Sequence, residues 1–212
     1  MKLTIIERDF MKLSILILTH KRPSLFKRCL ESALHNIPED VEILVNNDSD
    51  DIVEIKRDNI KYYYLKSENL SDIYNMLLQE SKGEYVYYLE DDDYLVKDFY
   101  SIIMPYLKYD LIGANYYPTW NSNWILKCST SMNKEFNINT EVFQLGQFIF
   151  KRSKILEVQF PDSSHIHNDY LLVSRILDTN PEVINIPKVI YYQTTDGNDN
   201  ISFPESTNYY GI

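Results

Sequence analysis

A short, largely apolar run, Glu84–Leu89 (EYVYYL), passes directly into four consecutive acidic residues, Glu90–Asp93. Two earlier runs, Leu13–Leu18 (LSILIL) and Val41–Val45 (VEILV), are similarly short and apolar. Such runs are typical of strands buried on both faces of a parallel sheet. Segments with helical periodicity separate them. The sequence therefore predicts an α/β fold in which right-handed crossovers connect parallel strands.

Polar segments follow three of the predicted strands, namely Thr19–Arg22, Asn46–Asp51 and Glu90–Asp93. In open α/β sheets, ligands bind outside the carboxyl ends of the parallel strands. About 70 residues separate the first segment from the last. The predicted topology nevertheless brings all three to one edge of the sheet, and we expect the functional site there.

The acidic segment Glu90–Asp93 has two interpretations. Carboxylates held close together repel one another unless a cation neutralises them, and hard oxygen ligands suit Mg²⁺ or Mn²⁺. The alternative is a solvated acidic turn that caps the next helix. The spacing of the acidic residues does not decide between these two interpretations.

Length, charge and missing motifs exclude several classes of protein. A chain of 212 residues fits a single domain, and its net charge of −10 argues against a dedicated nucleic-acid binder. No glycine-rich phosphate loop follows a strand, and no G-x-S-x-G sequence occurs. Nucleotide binding of the P-loop or dinucleotide type and serine hydrolysis are therefore not expected.

Glu7 and Asp9 lie where a secretory signal would need an apolar stretch, so export is not expected. Cys29 and Cys128 lie far apart, which favours free thiols in a reducing compartment. No run approaches the roughly 20 apolar residues of a membrane span. We therefore expect a cytoplasmic protein with no integral membrane segment. The sequence does not predict its oligomeric state.

Four segments in order carry a resemblance to a known family: LSILILTHKRPSLFKRCLESAL, VEILVNNDSDD, SENLSDIYNMLLQESKGEYVYYLEDDDYL and HNDYLLVSRIL. Together they resemble family 2 of the GT-A fold glycosyltransferases, from about Lys12 to Ser202. The resemblance implies a three-layer sandwich with a mostly parallel, mixed central sheet. Within one domain, 1–212, it implies a nucleotide-sugar-binding half at about 1–110. An acceptor-binding half at about 111–212 would contain the catalytic base.

The resemblance also implies roles for individual residues. Asp92 and Asp93 would bind a divalent metal, Mn²⁺ or Mg²⁺, and Asp169 would be the general base. Local sequence alone instead favours a helix N-cap for Asp169. The residues that would contact the nucleotide sugar are Thr19, Arg22, Asn46, Asn69, Asn75, Glu90, Asp91 and Arg175.

This chain departs from the family pattern at several positions. Asn46 stands where the family usually has an Asp that reads the uracil ring, Glu90 replaces the first Asp of the DxD motif, and Asn168 replaces a Glu. A further metal ligand near the end of the domain is undecided. The candidates are Gln193, Asp196, Asp199, His165 and His167.

The implied activity is metal-dependent, inverting transfer of a sugar from a nucleoside-diphosphate sugar, a UDP-sugar, to an acceptor hydroxyl. Residues 111–160 carry five basic and three acidic side chains, and both tryptophans. Aromatic and basic residues together suit an anionic sugar or a nucleobase flanked by phosphates, although core aromatics with surface lysines are the alternative. The candidate acceptor contacts are Tyr117, Trp120, Trp124, Lys151 and Arg152.

Two acceptor classes remain open from the sequence. The commoner is a glycan or a lipid-linked saccharide, and the other is a hydroxymethylated DNA base, which would have to be flipped out of the duplex. A different possibility is a non-catalytic nucleotide- or metal-binding module of the same fold, which the substitutions at Asn46 and Asn168 would favour.

Overall fold

The computed structural model describes residues 10–50, 54–119, 144–161 and 168–194. The strands are β1 Met11–Thr19, β2 Val41–Asn47, β3 Ile60–Tyr63, β4 Gly83–Glu90, β5 Tyr94–Leu95, β6 Leu111–Pro118, β7 Phe148–Lys151 and β8 Val183–Gln193. The helices are α1 Pro23–Leu34, α2 Leu70–Glu80, α3 Phe99–Ile103, α4 Arg152–Val158 and α5 Asn168–Asp178. None of these described helices combines the length and apolar character needed to cross a bilayer.

The strands form one mixed sheet in the order β3-β2-β1-β4-β7-β6-β8-β5. The first four of these run parallel, as the alternation of apolar runs and helices predicts. β7 is antiparallel to both β4 and β6, β8 is parallel to β6, and β5 is antiparallel to β8. The predicted α/β class with a mostly parallel, mixed sheet is therefore confirmed.

Helices cover both faces of the sheet and enclose two separate apolar cores. On one face, Leu30 of α1 and Ile103 of α3 pack with residues such as Tyr87. On the other, Leu77 of α2 and Leu172 of α5 share a core with alternate residues of the same strands. Fully burying one such side chain is worth about 1.5–3 kcal/mol. Helices on both sides of one sheet form the three-layer sandwich that the resemblance implies.

One predicted helix ends earlier than expected. The sequence predicts a helix over about Lys97–Leu107, but α3 is followed by a 3₁₀ turn at Met104–Tyr106. Pro105 has no backbone N–H to continue the α-helical ladder. The chain therefore changes direction early and enters β6.

The amino ends of β1 and β4 approach each other very closely. A Cβ atom at Gly83 would lie 2.4 Å from the backbone nitrogen of Ser14. Only glycine fits there, because real Cβ atoms do not approach backbone atoms so closely. This contact fixes β4 beside β1, and the two strands then run in register to their carboxyl ends.

Candidate active site

The carboxyl ends of β2, β1 and β4 lie side by side, and we call this edge of the sheet the rim. Leu18 of β1 lies opposite Asn46 of β2 on one side and opposite Glu90 of β4 on the other. The polar segments that follow these strands therefore meet there. The prediction that they converge on one edge is confirmed.

Asp91 turns toward the loop that follows β1. Its carboxylate accepts hydrogen bonds from Thr19 Oγ1 at 2.8 Å and from Arg22 Nη1 at 3.2 Å. Burial raises the pKa of Asp91 to about 6, although Arg22 and Thr19 act in the opposite direction. Arg22 Nη1 also lies 3.1 Å from Asp92 Oδ2. The structure thus brings Thr19, Arg22 and Asp91 together, as predicted.

Glu90, Asp92 and Asp93 form a compact group of carboxylates. One oxygen of each lies within 4.8 Å of the others. Burial raises the pKa of Glu90 and of Asp93, and the neighbouring carboxylates raise both further. A divalent cation would relieve this repulsion, and three hard oxygen donors suit Mg²⁺ or Mn²⁺. The residues present therefore fit such an ion.

Two residues that the sequence does not single out hold this acidic loop in place. The backbone N–H of Thr194 donates to Asp93 Oδ1 at 2.9 Å, and the Thr194 hydroxyl donates to the carbonyl of Asp92. Arg28 Nη2 donates to the same carbonyl at 2.7 Å, and its guanidinium lies 4.9 Å from the centre of the Tyr94 ring. Thr194 lies 101 residues from Asp93, so no local pattern could have identified the contact.

Asp169 is partly buried in the first turn of α5. Its Oδ2 accepts a hydrogen bond from the backbone N–H of Leu145 at 3.2 Å, so its described contact is with another segment rather than with its own helix. Burial raises the pKa of Asp169 to about 6, although the hydrogen bond from Leu145 acts to lower it. Among the neighbouring charges that raise the pKa of Glu90, Asp169 has the largest effect, so the two carboxyl groups are neighbours.

Arg175 lies in the last turn of α5 and is exposed. It comes six residues after Asp169, which corresponds to about 9 Å along the helix axis. The contact of Arg175 with the donor therefore stays a prediction.

Three residues that were predicted to contact the nucleotide sugar instead form side-chain hydrogen bonds with the backbone of this chain. Asn46 Oδ1 accepts from the N–H of Leu65 at 2.9 Å, and its Nδ2 donates to the carbonyl of Leu65 at 3.0 Å. Asn75 makes the same pair of bonds to Phe160, at 2.8 and 3.1 Å. Asn69 caps α2 by accepting from the N–H of Ser71 at 3.1 Å. In this structure Asn46 does not present a free amide to a nucleobase.

The candidate acceptor contacts that the structure describes do not come together. Lys151 pairs with Asp110 at 3.0 Å, and Arg152 Nε donates to Ser81 Oγ at 3.0 Å. Lys151 lies opposite Tyr85, five strand residues or roughly 16 Å before Glu90. Both basic residues thus lie toward the edge opposite the rim, in ion pairs and hydrogen bonds that fix the fold. Tyr117 packs on Tyr192 at the end of β6, and Trp120 and Trp124 lie outside the described residues.

Of the candidates for a further metal ligand, only Gln193 is described. It is buried beside Thr194, and its Oε1 has no hydrogen-bond partner in the described ranges. The other candidates, Asp196, Asp199, His165 and His167, lie outside those ranges.

Comparison with known proteins agrees with this architecture. The profile of glycosyl transferase family 2 matches residues 14–178, which include the rim, the acidic group and Asp169. The chain therefore belongs to glycosyl transferase family 2.

Among curated proteins, an uncharacterized glycosyltransferase of Mycoplasma genitalium is 30% identical over 127 residues, which are 52% of this chain and 43% of that protein. The chain thus spans less than half the length of this relative. TarS 1-349 from S. aureus superposes with a TM-score of 0.68 and 17% identity, over 87% of this chain and 60% of that one. The mannosyltransferase PcManGT from Pyrobaculum calidifontis, solved with GDP-Man and Mn²⁺, superposes with a TM-score of 0.63 and 13% identity, over 86% of this chain and 56% of that one. These likenesses identify the GT-A fold.

Proposed function

We propose that this protein is a metal-dependent, inverting glycosyltransferase that moves a sugar from a UDP-sugar to an acceptor hydroxyl. One observation carries the proposal: a carboxylate group suited to a divalent cation (Glu90, Asp92 and Asp93) lies at the rim, and the charge of a separate carboxylate with a raised pKa (Asp169) acts on Glu90 of that group. The first can hold a diphosphate through a cation, and the second can accept a proton.

Glu90, Asp92 and Asp93 would hold Mn²⁺ or Mg²⁺. When bound, the cation stabilises the negative charge that develops on the leaving diphosphate. Arg22 lies beside Asp91 and Asp92 and adds a positive charge at the same place. Membership of the family and the PcManGT structure with Mn²⁺ support this assignment.

Asp169 would accept the proton of the acceptor hydroxyl as that oxygen attacks the anomeric carbon. The bond between the anomeric carbon and the diphosphate oxygen breaks as the new glycosidic bond forms, so the nucleoside diphosphate leaves from the opposite face. The configuration at the anomeric carbon is thereby inverted. A base whose pKa lies near the working pH suits this role, and general base catalysis contributes roughly 10²–10⁴-fold.

UDP as the nucleotide is supported by TarS, which has been solved with UDP and with UDP-GlcNAc. For the acceptor we propose a glycan or a lipid-linked saccharide. The DNA alternative depends on basic and aromatic residues, and the two basic acceptor candidates, Lys151 and Arg152, are engaged at the opposite edge. No described contact favours DNA.

The metal and donor sites can be tested by thermal unfolding with UDP, UDP-glucose, UDP-galactose and UDP-GlcNAc, each with and without Mn²⁺. A ligand that binds only the folded state raises the melting temperature by mass action. We expect one UDP-sugar to raise it more with Mn²⁺ than without, and Asp92→Asn to lose the Mn²⁺-dependent part. A wild-type protein that responds to no nucleotide sugar in Mn²⁺ would refute the proposal.

The base is tested with Asp169→Asn, which keeps the size of the side chain and removes its basicity. We expect it to bind the UDP-sugar as the wild type does but to release UDP about 10²–10⁴-fold more slowly. Asp178→Asn, at an exposed position on the same helix, is the matched control and should behave as the wild type. Wild-type turnover by Asp169→Asn would exclude it as the base, and donor binding without any UDP release by the wild type would indicate a non-catalytic module.

A further inference from the structure

Tyr74 of α2 lies in an aromatic cluster that borders the acidic group. Its ring stacks on Phe160, with centroids 4.7 Å apart and planes 22° apart, and it meets Tyr88 edge to face at 5.3 Å. Tyr74 itself remains partly exposed. Two aromatic rings therefore hold the Tyr74 ring, and the residue is not fully enclosed.

The pleat of β4 places this cluster next to the reacting groups. Tyr88 and Glu90 are two residues apart on one strand, so their side chains leave the same face of the sheet. Leu172 and Val173 of α5 pack into the same core as Tyr88, which places the helix of Asp169 over that face as well. Burial raises the pKa of Tyr74, and the charges of Glu90 and Asp169 raise it further, so both carboxylates are its neighbours.

Several hydrogen bonds immobilise the partner on which Tyr74 stacks. The side chain of Asn75 binds both the N–H and the carbonyl of Phe160, and Ser71 Oγ donates to the carbonyl of Pro161 at 2.8 Å. Within the described ranges, the Tyr74 hydroxyl makes no hydrogen bond. A rigid aromatic ring with an available hydroxyl thus borders the acidic group.

We propose that Tyr74 contacts the sugar that is transferred, with its hydroxyl hydrogen-bonded to a sugar hydroxyl and its ring forming one wall of the sugar pocket. The assignment rests on the proposed function. In that reaction the sugar lies between the diphosphate and the base, and Tyr74 borders the carboxylates that serve each of them. Because the phenol stays neutral, it can donate a hydrogen bond without adding charge beside the carboxylates.

The test compares two ligands in Tyr74→Phe, which removes the hydroxyl and keeps the ring. Calorimetry in Mn²⁺ measures the affinity for UDP and for the UDP-sugar that the wild type prefers among UDP-glucose, UDP-galactose and UDP-GlcNAc. We expect the affinity for UDP to stay unchanged and that for the UDP-sugar to fall about fivefold, the effect of one hydrogen bond. The melting temperature without ligand should not fall.

Tyr88→Phe is the matched control, since it removes a neighbouring hydroxyl that is buried and has no hydrogen-bond partner. It should bind both ligands as the wild type does. Unchanged UDP-sugar affinity in Tyr74→Phe, or equal losses in the two variants, would overturn the assignment. If the wild type itself neither binds nor turns over a UDP-sugar, the proposed function fails instead, and the two results are distinguishable.

Discussion

Asn46 and Asn75 each bind the N–H and the carbonyl of one distant residue, Leu65 and Phe160 respectively. A carboxamide carries both a donor and an acceptor, so it can pair with a backbone as a neighbouring strand does. Asp lacks the donor and could make only half of this contact. The amide at position 46 therefore fixes the segment after β3 beside the rim, a role that the resemblance does not predict.

Asn46→Asp tests this interpretation. It retains the acceptor for the N–H of Leu65 but places a carboxylate oxygen against its carbonyl oxygen, in a buried position. We expect the free energy of unfolding to fall by about 1–3 kcal/mol in urea denaturation at pH 7. Asn180→Asp, which adds the same charge at an exposed position, should change it little. An unchanged free energy of unfolding in Asn46→Asp would mean that the contact with Leu65 does not stabilise the folded protein.

Among the elements, β1, β2 and β4 are joined at their amino ends by a buried carboxylate. Glu42 of β2 accepts hydrogen bonds from Ser14 Oγ at 2.8 Å and from the N–H of Lys82 at 2.6 Å, and it pairs with Lys61 at 2.8 Å. Burial tends to raise the pKa of Glu42, but Lys61 and the hydrogen bonds outweigh it, and the pKa is lowered. The ionised form is thus the one that holds the strands together.

The pH dependence of stability follows from this shift. Because the pKa of Glu42 is lower in the folded state, its contribution is present above the unfolded pKa and disappears as pH falls through the folded value. Glu42→Gln should therefore reduce the free energy of unfolding by about 2 kcal/mol at pH 7. Denaturation at several pH values should show that the difference in free energy of unfolding between Glu42→Gln and the wild type becomes smaller below about pH 5. The control Glu39→Gln, at an exposed position, should show no such trend. A difference for Glu42→Gln that does not change with pH would contradict a stabilising role for the ionised form of Glu42.

At the scale of the molecule, the two predicted halves, about 1–110 and 111–212, share a single sheet. β5 belongs to the first half by sequence but pairs with β8, at the far end of the strand order from β3. Arg28 and Thr194 also connect α1, the acidic loop and the end of β8. Neither half could complete its part of the sheet alone.

We therefore expect the chain to unfold as one cooperative unit. Urea transitions followed by far-ultraviolet circular dichroism and by tyrosine fluorescence should coincide, because both report loss of the same sheet. Limited proteolysis should likewise release no stable fragment that ends near residue 110. Two separated transitions would show that the halves are independent domains.

The sequence predicted the rim well because the signal is local. An apolar run identifies a parallel strand, and a polar segment at its end identifies a ligand edge, as for Leu18, Asn46 and Glu90. Predictions for Lys151 and Arg152 rested on composition alone. Composition does not tell which end of an antiparallel strand a residue occupies, and β7 runs opposite to β4.

By itself, the sequence determined the class of fold, the parallel strands and the acidic loop at the rim, because periodicity and strand ends are properties of neighbouring residues. Only the tertiary structure decided that Asp91 hydrogen-bonds with Thr19 while Glu90, Asp92 and Asp93 form the carboxylate group. It also decided that Thr194 donates a hydrogen bond to Asp93. It likewise decided that Tyr74 meets Tyr88 beside Glu90. Such contacts join segments far apart in the chain, and only packing of the helices on the sheet brings those segments together.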